Sequence, residues 1–272
     1  MGASFDRAAL STVEAAYLLE GSTEDWLRRI LARAQPALKP DRGLIIGTLC
    51  ARSGSGVVFT SGLVATEDVP AAAIEYLHSN ARERTPRHVE AAIRSPRPLD
   101  TASAAYHRFH APLRFSDFTP FDPLRRMGVH DHLVAHAYDA GGNGCILLGG
   151  FSEIVEPPRH KMARWGHVMA HLCAGLRLRQ ELAAGRDLDE AVVEPRGRVV
   201  HAEAAARDET SREALRDAAV RIDRARSTTG QRDAARTLWD WNALVAGRWS
   251  LVETFESDGR RYLVARRNDP RV

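Results

Sequence analysis

The stretch from Arg159 to Ala184 constrains this chain more than any other. Pro157 and Pro158 precede it, Gly185 follows it, and its 26 residues contain no proline. Apolar residues recur at Met162, Trp165, Met169, Leu172, Cys173 and Leu176, with Gly166 on the same side. That is the i, i+3, i+4, i+7 spacing of one helical face. At about 1.5 Å per residue the helix is roughly 39 Å long, enough to cross a domain. It is expected to close one unit, residues 1–184, and to connect it to a smaller one, residues 185–272.

The same helix carries His160, His167 and His171, related by steps of seven and four and therefore on one face. That face is expected nearly opposite the apolar stripe. A His pair at i, i+4 suits a metal, so these three are candidate ligands. A metzincin-type site would need Glu directly after the first His of the pair, and Val168 stands there. The plainer reading is a solvated or dimer-facing side of the helix.

The chain has 272 residues, enough for a substantial core and a soft prior of two domains. Net charge is only +3, with Arg far outnumbering Lys, and that small excess without clustering is no nucleic-acid footprint. Cys50, Cys145 and Cys173 form no CxxC pair and suggest free, buried thiols in a reducing, cytoplasmic setting. No signal peptide is visible and no apolar run is long enough to span a membrane.

Ser11 and Glu14 have capping-box spacing, predicting a helix to about Glu20. Ser22 with Asp25 starts a second helix, Thr23 to Leu38, ended by Pro36 and Pro40. Gly43–Ala51 and Val57–Thr60 read as an antiparallel hairpin around Ser53–Gly56. Helices are expected at Pro70–Asn80 and Pro86–Arg94. Ser95–Thr119 reads as irregular because of Pro96, Pro98 and Pro112, and a short helix, Pro120–Met127, follows. His130–Tyr138 and Cys145–Phe151 are strands around Asp139–Gly144. No Gly-Lys-Ser/Thr follows those glycines, so a hairpin turn and not a phosphate loop is expected. His130, His132 and His136 share parity on the first of these strands, with Asp131 between the first two. Metal binding competes there with a polar outer sheet face.

Beyond Gly185, strands are expected at Glu190–Glu194 and Arg198–Ala202 around Pro195-Arg196-Gly197. Helices follow at Ser211–Ala225 and Asp233–Ala246. The strands Arg248–Glu256 and Arg261–Arg267 are joined at Asp258-Gly259, with Phe255 opposite Tyr262. Hairpins with packed helices give an α+β class around antiparallel sheets.

Glu190–Glu203 (EAVVEPRGRVVHAE), Leu215–Arg226 (LRDAAVRIDRAR) and Gly247–Pro270 (GRWSLVETFESDGRRYLVARRNDP) together resemble the region before the DNA-binding domain of large LuxR-type helix-turn-helix regulators of myxobacteria and related bacteria. Val13–Leu31 and His171–Leu182 are similar to the sensor portion of the same proteins. The resemblance implies a GAF-like first unit, a reduced PAS-like second unit and a helix-turn-helix shortly after Pro270. These residues do not include that helix-turn-helix, so the resemblance assigns no DNA-binding residue and DNA would be reached only through such a domain. It implies a signal-input half, expected as a homodimer.

An apolar, aromatic-lined cavity is the default ligand site, so Phe109, Phe115, Phe118, Phe121 and Met127 are the candidate pocket for a small molecule. The competing reading is that these side chains fill a close-packed core. A ligand-free dimerisation module is the alternative function, with the His face or a patch near Trp239 and Trp241 as its contact. For an enzyme no catalytic residue stands out: the cysteines lie in apolar positions and no nucleophile elbow is present. No cofactor is named by any residue pattern.

Overall fold

The computed structural model describes residues 2–52, 56–83, 99–110, 114–227, 233–241, 244–257 and 259–269. The expected turn at Ser53–Ser55, the expected helix Pro86–Arg94, Asp258, and the side chains of Phe109 and Trp239 lie outside that description.

Helix α1 runs Gly2–Ala16 and α2 runs Thr23–Leu38. The capping-box reading at Ser11 is corrected: Ser11 is interior to α1, because Phe5, Ala9, Val13 and Ala16 are all buried and carry one apolar face back through the preceding turns. Residues 18–21 leave the helix with their carbonyls held by two guanidiniums. Arg29 bonds Leu18 and Glu20, and Arg179 bonds Leu19, Glu20 and Gly21. α2 starts as expected, with the Ser22 hydroxyl accepting from the Asp25 N–H at 3.1 Å. Pro36 sits inside its last turn, and Lys39, at φ 46°, ends it.

The first sheet is antiparallel, in the order β2–β1–β6–β5–β4. Its strands are β1 Leu44–Arg52, β2 Gly56–Phe59, β4 Leu99–Thr101, β5 Asp131–Tyr138 and β6 Asn143–Phe151; a two-residue β3, Val64–Ala65, also pairs with β1. The β5–β6 connection is the expected hairpin. Gly142 there takes φ +80°, and a Cβ on it would lie 2.2 Å from the Ala51 carbonyl oxygen.

Register decides which side chains meet. Ile46, Leu147 and Ala135 are cross-strand neighbours on one face and join the main core under α1, α2 and α6 (Arg159–Ala183). Ile45, Leu148 and Val134 are neighbours on the opposite face, packed with Leu63, Val69 and Leu77, the last from α3 (Ala71–Glu83). A one-residue slip would exchange the two sets. Both faces are covered, so the expected polar outer face at His132 and His136 is corrected: His136 is buried and the His132 ring stacks on Phe121 at 5.0 Å. The region expected as irregular contains β4, then α4 (Ala102–His110), and 3-10 turns at Phe115–Asp117 and Thr119–Phe121 that lead into α5 (Asp122–Arg126).

The second sheet is β8–β7–β10–β9, with β7 Asp189–Val193, β8 Val199–Ala202, β9 Trp249–Ser257 and β10 Arg260–Arg267. Phe255 and Tyr262 pair across β9 and β10 with ring centroids 5.1 Å apart. Helix α7, Glu209–Arg226, begins two residues earlier than expected, because Asp208 caps it through the Ser211 N–H. Helix α8 is only Ala234–Asp240, capped by Asp233, against an expected run to Ala246. Trp241 leaves the helix with its side chain buried. The fold is α+β.

One hydrophobic core runs across the whole chain, joining Leu44, Leu147 and Leu172 to Val193, Ile222, Trp241 and Leu263. The stretch of α6 from His171 to Leu178 therefore has no solvent side. Val168, Met169 and every residue from His171 to Leu178 are buried. A helix buried all round shows no single apolar stripe, which corrects the expected two-faced pattern.

Candidate functional site: a buried polar junction around the long helix

Gly175 lets α1 and α6 touch. A Cβ there would lie 2.3 Å from the Ala16 carbonyl oxygen, and only glycine permits that approach. The same carbonyl accepts from the Trp26 indole at 3.0 Å. With the backbones this close, Tyr17 reaches across α6 to His171, its hydroxyl 2.9 Å from Nδ1. The other ring nitrogen, Nε2, is 2.8 Å from the Trp241 carbonyl oxygen.

These contacts fix the proton positions. A carbonyl oxygen can only accept, so His171 Nε2 carries the hydrogen; Nδ1 then accepts, and the Tyr17 hydroxyl donates. Burial pushes the His171 pKa down to about 4, with His167 adding to the drop and the Trp241 carbonyl opposing it. The imidazole is therefore neutral in the folded chain at neutral pH. Burial also pushes the Tyr17 phenol up, against the opposing effects of a hydrogen bond from Ser250 and the charge of Arg177.

From Ser250 the path continues. Asn268 Nδ2 donates to the Ser250 hydroxyl at 2.7 Å and to the Ala174 carbonyl at 3.2 Å. Arg177 Nε donates to Asn268 Oδ1 at 3.0 Å, and its Nη1 lies 3.6 Å from Cys173 Sγ. Tyr17, His171, Arg177, Ser250 and Asn268 are all buried. Buried polar groups are tolerated when each finds a partner, and here partners come from the residue after α1, from α6, the end of α8, β9 and the residue after β10. Around the rim, Arg226 lies over the Trp241 ring, 5.4 Å from its centroid. Burial raises the pKa of Glu14 nearby, with Arg226 and then Arg33 opposing it.

The candidate ligand pocket is brought together in part. Phe115, Phe118, Phe121 and Met127 share one cluster with Tyr106, Leu124 and Val129. Their rings occupy one another's space: Tyr106 to Phe118 is 4.9 Å and Phe115 to Phe121 is 5.0 Å between centroids. Arg125 closes the group, its guanidinium 5.2 and 5.4 Å from the Phe115 and Phe121 centroids while it donates to the Phe115 and Phe118 carbonyls. Beneath them His132 is neutral, its pKa pushed down to about 4 by burial against the pull of Asp131. His132 Nδ1 is buried without a hydrogen-bond partner among the described residues. Asp131, fully buried, anchors the layer by accepting from Ser103 N–H and hydroxyl, His132 N–H and Val155 N–H.

The metal candidates are not brought together. His160 is exposed at the start of α6, His167 is half-buried, and both nitrogens of His171 are engaged. No group of three His, Cys, Asp or Glu residues among the described residues could hold a metal ion. Cys145 and Cys173 are buried thiols held protonated by burial, Cys173 with its pKa pushed up to about 11. Among the described residues no helix is long and apolar enough to cross a membrane.

Sequence reasoning singled out His171 but missed Tyr17, Arg177, Ser250 and Asn268. Arg177, set between Leu176 and Leu178 in an otherwise apolar stretch, was the one local signal of a buried charge.

No known protein family matches the sequence, and no curated protein does. Among solved structures it is similar to the N-acylhomoserine-lactone-dependent LuxR-family transcription factor CepR2 from Burkholderia cenocepacia, at 16% identity over 65% of this chain and 99% of that one, with a TM-score of 0.40. A likeness at that level carries no argument about this chain.

Proposed function

We propose that this chain is the signal-input region of a LuxR-type transcriptional regulator. In this reading residues 1–184 form a GAF-like sensory unit and residues 185–272 a reduced PAS-like unit. A small molecule or partner binds one conformation of the first unit better than another, and only such differential affinity can shift the balance. The aromatic layer at Phe115, Phe118, Phe121 and Met127, above His132, is the proposed point of entry. Output passes through α6 to the second sheet, and to DNA only through a separate helix-turn-helix.

The observation that carries this reading is the polar junction. Hydrogen bonds are directional and a buried unsatisfied partner costs about 1–3 kcal/mol. A shift of α6 relative to α1 or β10 therefore breaks bonds instead of sliding over apolar surface. That is the bistable kind of contact a coupling element requires.

Native mass spectrometry of freshly purified protein tests the proposal, paired with hydrogen exchange over residues 102–127. A mass lost on denaturation, together with slowed exchange there when it is added back, supports it. A bare chain whose exchange at 102–127 responds to no metabolite pool counts against it. The mutual packing of the aromatic rings favours a second reading, a ligand-free dimerisation module in the same kind of regulator, and a bare dimer would point to that.

A further inference from the structure

Asn143 and Cys173 link Asp139 to Arg177: the Asn143 N–H donates to Asp139, the Asn143 carbonyl lies 3.9 Å from Cys173 Sγ, and Arg177 Nη1 lies 3.6 Å from the same sulfur. Asp139 follows β5 at the β5–β6 turn and is 6% exposed. Its Oδ1 accepts from the Asn143 N–H at 3.0 Å, while Oδ2 is buried with no hydrogen-bond partner among the described residues. Arg177, 8% exposed, spends its Nε on a neutral amide oxygen and its Nη1 on a thiol. A guanidinium has five N–H donors, a thiol is a weak acceptor, and a carboxylate is the stronger partner. A buried carboxylate oxygen without a donor and a buried guanidinium with donors to spare are thus separated by Asn143 and Cys173 and are not paired with each other.

We propose that Arg177 is an exchangeable latch, bonded to Asn268 in the conformation described and to Asp139 in a second one. Exchange would release Asn268, and with it the Ser250–Tyr17–His171 path and the end of β10. The latch has a mechanical link to the aromatic layer. β5 carries His132, under Phe121, near one end, and Asp139 directly follows its other end. Over those seven steps a strand rises about 24 Å. The regulatory role of the latch rests on the sensory reading above; its existence does not.

Hydrogen exchange on the full 272-residue chain without ligand tests the latch. Asn268→Ala removes one of the two partners. Exchange should speed up about fivefold at 249–251 and 262–267, and slow at least threefold at 139–144, as Arg177 settles on Asp139. A merely structural Asn268 would loosen β9 and β10 and leave 139–144 unchanged, which overturns the proposal. Asp139→Asn, nearly isosteric, removes the competing charge and should slow exchange at 262–267 about fivefold. Unchanged or faster exchange there would also overturn it. A latch seen in these variants, with no ligand ever found, would leave the device in place and remove the sensory reading instead.

Discussion

The aromatic layer over the first sheet and the polar junction around α6 are both buried, and they hold by different physics. In the layer, Tyr106, Phe115, Phe118 and Phe121 touch ring to ring at varied tilts. Its stability rests on volume and apolar area, which similar side chains can supply in several arrangements. In the junction, each polar atom of Tyr17, His171 and Asn268 has an assigned partner and direction. The layer can deform by degrees, whereas the junction is either made or broken. In the proposed reading, the deformable layer would admit the signal and the junction, reached through β5 and α6, would report it.

Substitutions should separate the two. The largest effect is expected at Phe121→Ala in the layer, a loss of about 3–5 kcal/mol, with Phe121→Leu recovering most of it; denaturant unfolding measures both. Failure of leucine to rescue would mean the layer is as specific as the junction. Acid comes next and acts on both regions, at His171 in the junction and at His132 beneath the layer, whose pKa values burial pushes down to about 4. The unfolded chain binds a proton at His171 near pH 6.5, while the folded chain resists until about 4. The contribution of each of these two histidines is therefore complete at pH 7 and should fall by about 3 kcal/mol as pH drops to about 4, His132→Phe removing the layer's share and leaving that of His171. The Asp25 and Asp208 carboxylates, held below their ordinary values by Ser22 and Ser211, lose their contributions only below about pH 3.8, outside that window. Unfolding free energies at pH 7, 6, 5 and 4.5 read the slope.

Gly175→Ala should cost about 1–3 kcal/mol from overpacking against Ala16. Gly185→Ala, with open space around it, should cost about 1 kcal/mol for its positive φ alone. Equal values for the two would argue against the close α1–α6 approach. Tyr17→Phe keeps the ring stacked on Trp241, 6.3 Å away, but removes the donor to His171. A loss of about 1–2 kcal/mol is expected, where a Tyr-to-Phe change in a purely apolar contact would be near neutral. Smallest is His160→Ala, within about 0.5 kcal/mol by thermal melt, as for an exposed residue without special contacts.

What could be read from the residues was what neighbours in sequence decide. Ser22 with Asp25 named the start of α2, the Asp258-Gly259 pair placed the β9–β10 register, and the proline-free run gave the long helix. β4 and α4 were hidden because Pro96, Pro98 and Pro112 bracket them and suggested irregular chain. The junction was hidden for a deeper reason. Tyr17 and His171 are 154 positions apart, Arg177 and Asn268 are 91 apart, and a polar residue in an amphipathic pattern reads as solvent-facing until the covering element is known. His171 was placed on the outer side of α6 on that logic, and the Trp241 segment turned that side inward. In the aromatic layer the five residues named from sequence were near one another along the chain, and four of them do share a cluster.

The second sheet has its own consequence for how the chain is made. β10 lies between β7 and β9, although it is the last of the four in sequence. On a ribosome adding about 5–20 residues per second, the β7–β8 hairpin and then β9 emerge with no strand to bridge them. The open edge of β7 waits about 3–13 s, and that of β9 about 0.5–2 s, for residues 260–267. During that interval a nascent chain exposes the kind of unpaired strand that recruits other strands. A stalled or truncated product ending at residue 259 should accordingly be held by chaperones or aggregate, while one ending at 269 should not.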